Sequence, residues 1–236
     1  MRAWVGTSGY NYPEWRGSFY PADLPAARML AFYAERFAVV EINATFYRMP
    51  TAKTLAGWAA ATPPGFRFAL KAPQRITHFA RLRDVDEPVR YLCDAARTLG
   101  VKLGPLLFQL PPNFARDLGR LADLLALLPA GLACAFEFRH ASWFADDVYA
   151  RLRAANAALC IADTEAATTP LVTTADFGYL RLRDEGYGED DHRRWADTIH
   201  RLGEGWRDAY IFFKHEESGA GPAFASRLSE LLGSAA

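Results

Sequence analysis

Cysteine, net charge and long apolar runs are all scarce in this chain, and each scarcity removes a class of protein. Cys93, Cys134 and Cys160 are an odd number with no Cys-x-x-Cys pair. They read as small buried apolar residues in a reducing compartment, not as a disulfide framework or a structural zinc site. Lysine plus arginine equals aspartate plus glutamate at 27 each, and the pI is near 7.0. A broad electrostatic grip on nucleic acid or on an anionic membrane is therefore not expected, although a local basic patch can still form. No apolar run approaches the roughly 20 residues that span a bilayer. The first residues pass straight into Arg2-Ala3-Trp4-Val5-Gly6, without the basic region and apolar core of a signal peptide. The expected setting is cytoplasmic, with no membrane partner.

Familiar site motifs are missing as well. Gly6-Thr7-Ser8-Gly9 is a poor match to a dinucleotide or phosphate-binding glycine loop, and Ser8 does not lie in a Gly-x-Ser-x-Gly elbow. No His-x-x-x-His or His-Glu-x-x-His spacing occurs.

What is present is an alternation of two kinds of segment. Val39-Val40-Glu41-Ile42-Asn43 places apolar residues on one side of a strand and a carboxylate and an amide on the other. The arrangement returns at Ala135-Phe136-Glu137-Phe138-Arg139-His140, at Tyr179-Leu180-Arg181-Leu182-Arg183-Asp184 and at Phe212-Phe213-Lys214-His215-Glu216. The pattern predicts strands near 2–6, 39–43, 66–71, 104–109, 133–138, 158–163, 178–183 and 208–214. Helices are expected near 27–37, 51–61, 87–100, 116–128, 145–155, 190–203 and 220–233, with Thr51 as an N-cap and Gly100 as a stop. Between Thr164 and Phe177, the run Thr168-Thr169-Pro170-Leu171-Val172-Thr173-Thr174 looks like an extended excursion where a sixth helix would stand. With 51% hydrophobic residues and no linker, 236 residues suit one α/β domain over 1–236: a single (β/α)8 TIM-type barrel with a degenerate sixth helix. Such a barrel gathers the charged strand faces at its C-terminal mouth, where convergent charge marks a site or a paired network.

Several stretches carry a family resemblance. These are Gly6-Thr7-Ser8-Gly9-Tyr10, Trp15-Arg16-Gly17-Ser18-Phe19-Tyr20-Pro21, Glu41-Ile42-Asn43 with Thr45-Phe46-Tyr47, Lys71, Thr77-His78, Gln109-Leu110-Pro111-Pro112, Glu137-Phe138-Arg139-His140 with Ser142-Trp143, and Asp163. In order and spacing they resemble the domain-of-unknown-function family 72, the YecE-like proteins. The resemblance implies a TIM-type barrel and transfers no activity. Two stretches depart from the family pattern. Arg181-Leu182-Arg183-Asp184 stands where Arg, a hydrophobic residue, His and Gly are usual, and Phe213-Lys214-His215 where Phe-Asn-Asn is usual.

Glu41, Glu137, His140 and Asp163 are the catalytic candidates. Carboxylates and imidazoles at strand ends can act as general acids and bases. The candidates for holding substrate are Tyr10, Asn43, Tyr47, Lys71, His78, Gln109, Arg139, Arg181 and Lys214, the cations by gripping a phosphate or carboxylate. A bland alternative pairs the acids with Lys71, Arg139, Arg181 and Lys214 in a structural ion network. The aromatics Trp15 and Phe19, four apart, suit a plug over the barrel, whereas Tyr10 and Tyr47 begin loops and suit a ligand. The expected function is an enzyme acting on a small polar, anionic metabolite by acid/base chemistry at the barrel mouth, with no cofactor. A divalent metal on Glu41, Glu137, Asp163 and His140, as in a phosphoesterase or sugar isomerase, is an alternative that is not favoured. A non-catalytic protein that binds a small ligand or nucleic-acid ends is another, and nucleic acid is disfavoured by the neutral charge. The sequence fixes no oligomeric state.

Overall fold

The computed structural model describes residues 1–216 and 219–233, so the last three positions of the domain expected over 1–236 lie outside the described residues. Eight parallel strands pair in chain order: β1 (Arg2–Ser8), β2 (Val39–Ile42), β3 (Arg67–Lys71), β4 (Leu103–Gln109), β5 (Cys134–Glu137), β6 (Ala158–Asp163), β7 (Phe177–Leu182) and β8 (Asp208–Phe213). The sheet closes where β8 pairs with β1 from Arg2–Asp208 to Thr7–Phe213. The expected strands are within two residues of these bounds at every end.

Alternation along each strand explains the closure. One parity (Val40, Ile42, Phe68, Leu70, Leu106, Phe108, Phe136, Leu159, Ile161, Leu180, Ile211 and Phe213) packs outward under the helices. The other (Trp4, Val39, Ala69, Leu107, Ala135, Cys160, Tyr179, Tyr210 and Phe212) fills the barrel. Parallel strands buried on both faces read as apolar runs, and the inner parity turns polar at the C-terminal ends. The helices are α1 (Met29–Ala34), α2 (Ala44–Tyr47), α3 (Ala52–Ala60), α4 (Asp86–Ala96), α5 (Leu118–Leu127), α6 (Asp146–Ala154), α7 (Glu189–Leu202) and α8 (Ala220–Leu231). Thr51 Oγ1 accepts the Thr54 N–H at 3.2 Å and starts α3, and Gly100, at φ 53, ends the turn that follows α4. None of the helices described is long and apolar enough to cross a membrane.

β6 alone is not followed by a helix, as the threonine-rich sequence predicts. The ladder between β5 and β6 covers only Ala135–Ala158 and Phe136–Leu159. Beyond it, Ala162 donates to Thr169 Oγ1 at 3.2 Å and accepts from the Thr169 N–H at 2.8 Å. Thr174 Oγ1 bridges lower down, accepting from the Leu159 N–H and donating to the Ala157 carbonyl, both at 2.7 Å. The extended excursion thus satisfies strand groups that a neighbouring strand leaves unpaired, a task open backbone performs and a helix cannot.

Among the single-turn elements that were not expected are α2 and a π-helical turn at Arg75–Phe79. Both stand at the mouth, and the second carries Thr77 and His78.

Candidate active site at the barrel mouth

The floor of the mouth is an ion network around Arg181, which is 1% exposed. Its Nη2 and Nε donate to Glu41 Oε1 at 2.9 and 3.2 Å, and its Nη1 donates to Glu137 Oε2 at 2.5 Å. Ser8 Oγ also donates to Glu41 Oε1, and the Tyr179 hydroxyl donates to Oε2 at 2.6 Å. Glu137 further accepts from Gln109 Nε2 at 2.8 Å and from Arg139 Nε at 3.0 Å. All four carboxylate oxygens are therefore occupied. Burial works against the charge on Glu137, but Arg181 and Arg139 outweigh it and hold this carboxyl well below the usual range. Burial likewise opposes the Arg181 charge, and Glu41 with Glu137 overcomes it. A carboxylate this heavily engaged is a poor proton carrier near neutral pH. Glu41 and Glu137, expected as acid and base, are both engaged in holding Arg181.

Above this floor lies a cavity of about 580 Å³ at the C-terminal ends of the strands. Asn43, Tyr47, Lys71, His78, Gln109, Arg139, Arg181 and Lys214, all anticipated as binding residues, line it. Tyr12, Phe46, Gln74, Arg183 and Glu216 line it too. Gly9, at φ +96, turns the chain after β1 and lets the Tyr12 ring close over it, where a Cβ would stand 2.3 Å from the hydroxyl. Tyr47 is 74% exposed and forms the lip.

Five cations (Lys71, Arg139, Arg181, Arg183 and Lys214) meet three carboxylates here (Glu41, Glu137 and Glu216), a cationic excess among the described residues. Lys214 Nζ lies 3.1 Å from Glu216. Among the described residues, Lys71 and Arg183 have no carboxylate partner. Burial, then the Arg181 charge, lowers Lys71 to about 8, and the same two causes lower Arg183. Burial, with Lys71 and Arg139, also lowers His78. The Phe46 ring links the two titratable groups: Lys71 Nζ is 4.0 Å from its centre, and the His78 ring meets it edge-on at 4.9 Å.

Asn43 adds an open acceptor. The single proton of Ser8 Oγ goes to Glu41, so Ser8 must accept from Asn43 Nδ2 at 2.8 Å, which fixes the orientation of the amide. Asn43 Oδ1 is then buried without a donor among the described residues. An orphaned acceptor at a cavity wall suits a ligand hydroxyl.

Three candidates are not brought into the cavity. Asp163 lies on the outward parity of β6 and accepts from Thr168 Oγ1 at 2.5 Å, the Tyr187 hydroxyl at 2.7 Å and Trp195 Nε1 at 3.1 Å. It ties α7 and the loop before it to the barrel wall. Asp163→Ala is expected to cost about 2–3 kcal/mol in urea denaturation, because two buried donors lose their acceptor. A cost under about 0.5 kcal/mol would remove this tether reading. His140 caps the turn at Ala141–Trp143, its Nδ1 accepting the Ser142 N–H at 3.2 Å and lying 2.8 Å from Ser142 Oγ. Tyr10 packs on Tyr33 at 6.3 Å, and its carbonyl accepts the Tyr20 hydroxyl. It joins the aromatic plug of Trp15, Phe19 and Tyr20. The donor set for a metal, Glu41, Glu137, Asp163 and His140, is accordingly dispersed.

The family described as "Protein of unknown function DUF72" matches residues 4–236. The UPF0759 protein YecE of Escherichia coli (strain K12) is 31% identical over 143 residues, covering 60% of this chain and 50% of that protein. The chain thus spans about half the length of the curated relatives it matches. A DUF72 family protein of Thermotoga maritima MSB8 superposes with a TM-score of 0.88 at 25% identity, covering 99% of this chain and 100% of that one. The D-psicose 3-epimerase of Clostridium cellulolyticum H10 shares the barrel alone, with a TM-score of 0.57 at 11% identity over 98% of this chain and 96% of that one.

Proposed function

The chain belongs to the DUF72 family of proteins of unknown function, and from that premise we propose that its barrel mouth binds a small hydroxylated anionic metabolite and transforms it by acid/base chemistry. The observation that carries this reading is the pair Lys71 and Arg183, two cations in one polar cavity with no carboxylate partner among the described residues. Unpaired charge in a concave, partly dry site costs the fold free energy that a bound anion returns. Arg183 offers a forked donor to a phosphate or carboxylate, and Lys71 a point charge. Asn43 Oδ1 takes a hydroxyl of the same molecule. Lys71 is placed to exchange a proton near neutral pH, because burial and neighbouring cations draw it down from its ordinary value, and the same causes lower His78, which favours its neutral, proton-accepting form. Glu41, Glu137 and Arg181 form the rigid floor that holds these groups in place.

The test is a thermal-shift and calorimetric series at low ionic strength with inorganic phosphate, acetate and glycerol phosphate. Phosphate and glycerol phosphate should raise the melting temperature, with the effect fading as salt is added. Arg183→Ala should weaken phosphate binding by about tenfold, the value of one charge-assisted hydrogen bond. A melting temperature indifferent to every anion would reject the proposal.

A further inference from the structure

We propose that Lys71 is an imine-forming lysine, whose amine condenses with the carbonyl of a small anion bearing both a carbonyl and a carboxylate or phosphate. This rests on the anion-binding reading above and deepens it. The first observation is a choice of residue. Of the 27 lysines and arginines only Lys53, Lys71, Lys102 and Lys214 are lysines. Two of the others use the ammonium as a charge or a donor, and the third stands in solvent. Lys53 is exposed on α3. Lys102 Nζ donates to the carbonyls of Ala59 and Thr62 at 2.6 and 2.7 Å and to Thr62 Oγ1 at 3.1 Å. Lys214 pairs with Glu216.

Lys71 differs from all three. It is 9% exposed, it ends β3 on the inner parity, and its Nζ meets the Phe46 ring without a carboxylate among the described residues. In the same layer the structural cation is an arginine, Arg181. If Lys71 served only to grip an anion, arginine would do so better through its fork. What arginine cannot do is lose a proton and form a carbon–nitrogen double bond. A buried amine flanked by cations is the environment in which lysine becomes nucleophilic. With its proton affinity lowered to about 8, roughly a tenth of Lys71 is neutral at pH 7.

The step balances without an oxidant. The Lys71 nitrogen lone pair attacks the carbonyl carbon, the nitrogen then gives up one proton and the carbonyl oxygen takes one, leaving a neutral carbinolamine. The hydroxyl then leaves as water after a second proton reaches it. The nitrogen lone pair closes the C=N bond, leaving a protonated imine. The neutral amine, the carbonyl and one added proton thus yield one protonated imine and one water. His78 is placed to relay these protons: its ring lines the cavity against Phe46, and its Nδ1 lies 2.9 Å from Thr77 Oγ1. Arg139 and Arg183 hold the anionic end. The positive imine would withdraw electrons from the adjacent carbon, favouring cleavage or deprotonation there.

The experiment exposes the intact protein to pyruvate, glyoxylate or pyridoxal 5′-phosphate with borohydride, then maps reduced adducts by peptide mass spectrometry. The expected result is an adduct on Lys71 in preference to Lys53, Lys102 and Lys214, suppressed by inorganic phosphate and absent from Lys71→Met and Lys71→Arg proteins whose folding is verified by circular dichroism. Labelling ordered by exposure, with Lys53 leading, or no label on Lys71 from any of the three probes, would overturn the proposal. The thermal-shift series on the same preparation separates the two readings. Stabilisation by phosphate with Lys71 unlabelled defeats the imine alone, whereas a labelled Lys71 without phosphate stabilisation defeats the anion reading alone.

Discussion

Arg181→Met is expected to lower stability by about 3–5 kcal/mol, the cost of removing one partner from a buried ionic cluster. For a barrel of this length that amounts to a fall of roughly 10 °C in melting temperature. The loss comes less from the arginine's own bonds than from what it leaves behind. Glu41 would keep only the Ser8 and Tyr179 hydroxyls, and Glu137 only Gln109 and the one-third-exposed Arg139. The deficit should depend on pH with a definite sign. In the parent protein the Glu137 carboxyl is held below its unfolded value of about 4.3, so its contribution is complete above that pH and is lost as pH falls through the depressed value. In the variant Glu137 would lose the larger of the two cations that outweigh its burial, so the folded state should recover as that carboxylate protonates. The gap between the two proteins should therefore narrow toward pH 4, and adding Glu41→Gln to Arg181→Met should restore part of the loss at pH 7. Urea denaturation at both pH values reads this out. Additive single effects and a deficit unchanged with pH would show that Arg181 is not the hub.

Much of this arrangement was legible because a parallel barrel repeats one rule at every strand. Glu41, Glu137 and Arg181 could be placed on the inner face from alternation alone, since each has apolar neighbours of the opposite parity. Asp163 could not. β6 reads Ala-Leu-Cys-Ile-Ala-Asp, apolar on both faces, and nothing in it distinguishes inside from outside. Its partners Tyr187 and Trp195 are 24 and 32 residues away, beyond any local signal. His140 and Tyr10 follow strand ends, where the chain leaves the ladder and parity no longer holds. Ser142 two residues after His140 was the available hint of a cap. Nothing in the sequence separates Tyr12 from Tyr10, because the turn at Gly9, which swings Tyr12 over the mouth, does not show in composition. Single-turn elements such as α2 and the turn at Arg75–Phe79 are too short to carry a hydrophobic period. The pairing of the acids was open in the sequence as well, because charge counting gives a balance without saying which cation meets which acid. Geometry decides it, by giving Arg181 to both glutamates and leaving Lys71 and Arg183 without a carboxylate among the described residues.

Lys71→Met is expected to stabilise the unliganded protein at neutral pH by about 2–3 kcal/mol while abolishing the reactivity of the mouth. The sign follows from the proton. The folded-state value of about 8 lies below the unfolded lysine's, so below pH 8 both states are protonated and the fold carries the full cost of a buried ammonium. Between pH 8 and about 10.4 the folded amine sheds its proton while the unfolded one keeps it, and the parent protein gains stability with rising pH. Methionine fills a similar volume without charge, so the variant lacks that slope, and its advantage should shrink across the same window. Loss of the ammonium over the Phe46 ring, about 0.5–1 kcal/mol, offsets part of the gain. Tyrosines, cysteines and the terminal amine also titrate there, but they are common to both proteins and cancel in the difference. Melting temperatures at pH 7 and pH 10 therefore isolate Lys71. A variant less stable than the parent at pH 7, or a difference that does not change with pH, would mean that Lys71 contributes to the fold as an ordinary paired cation. A variant that is more stable and unreactive would mean that the fold carries a strained residue for its chemistry, as active sites do when function and stability compete.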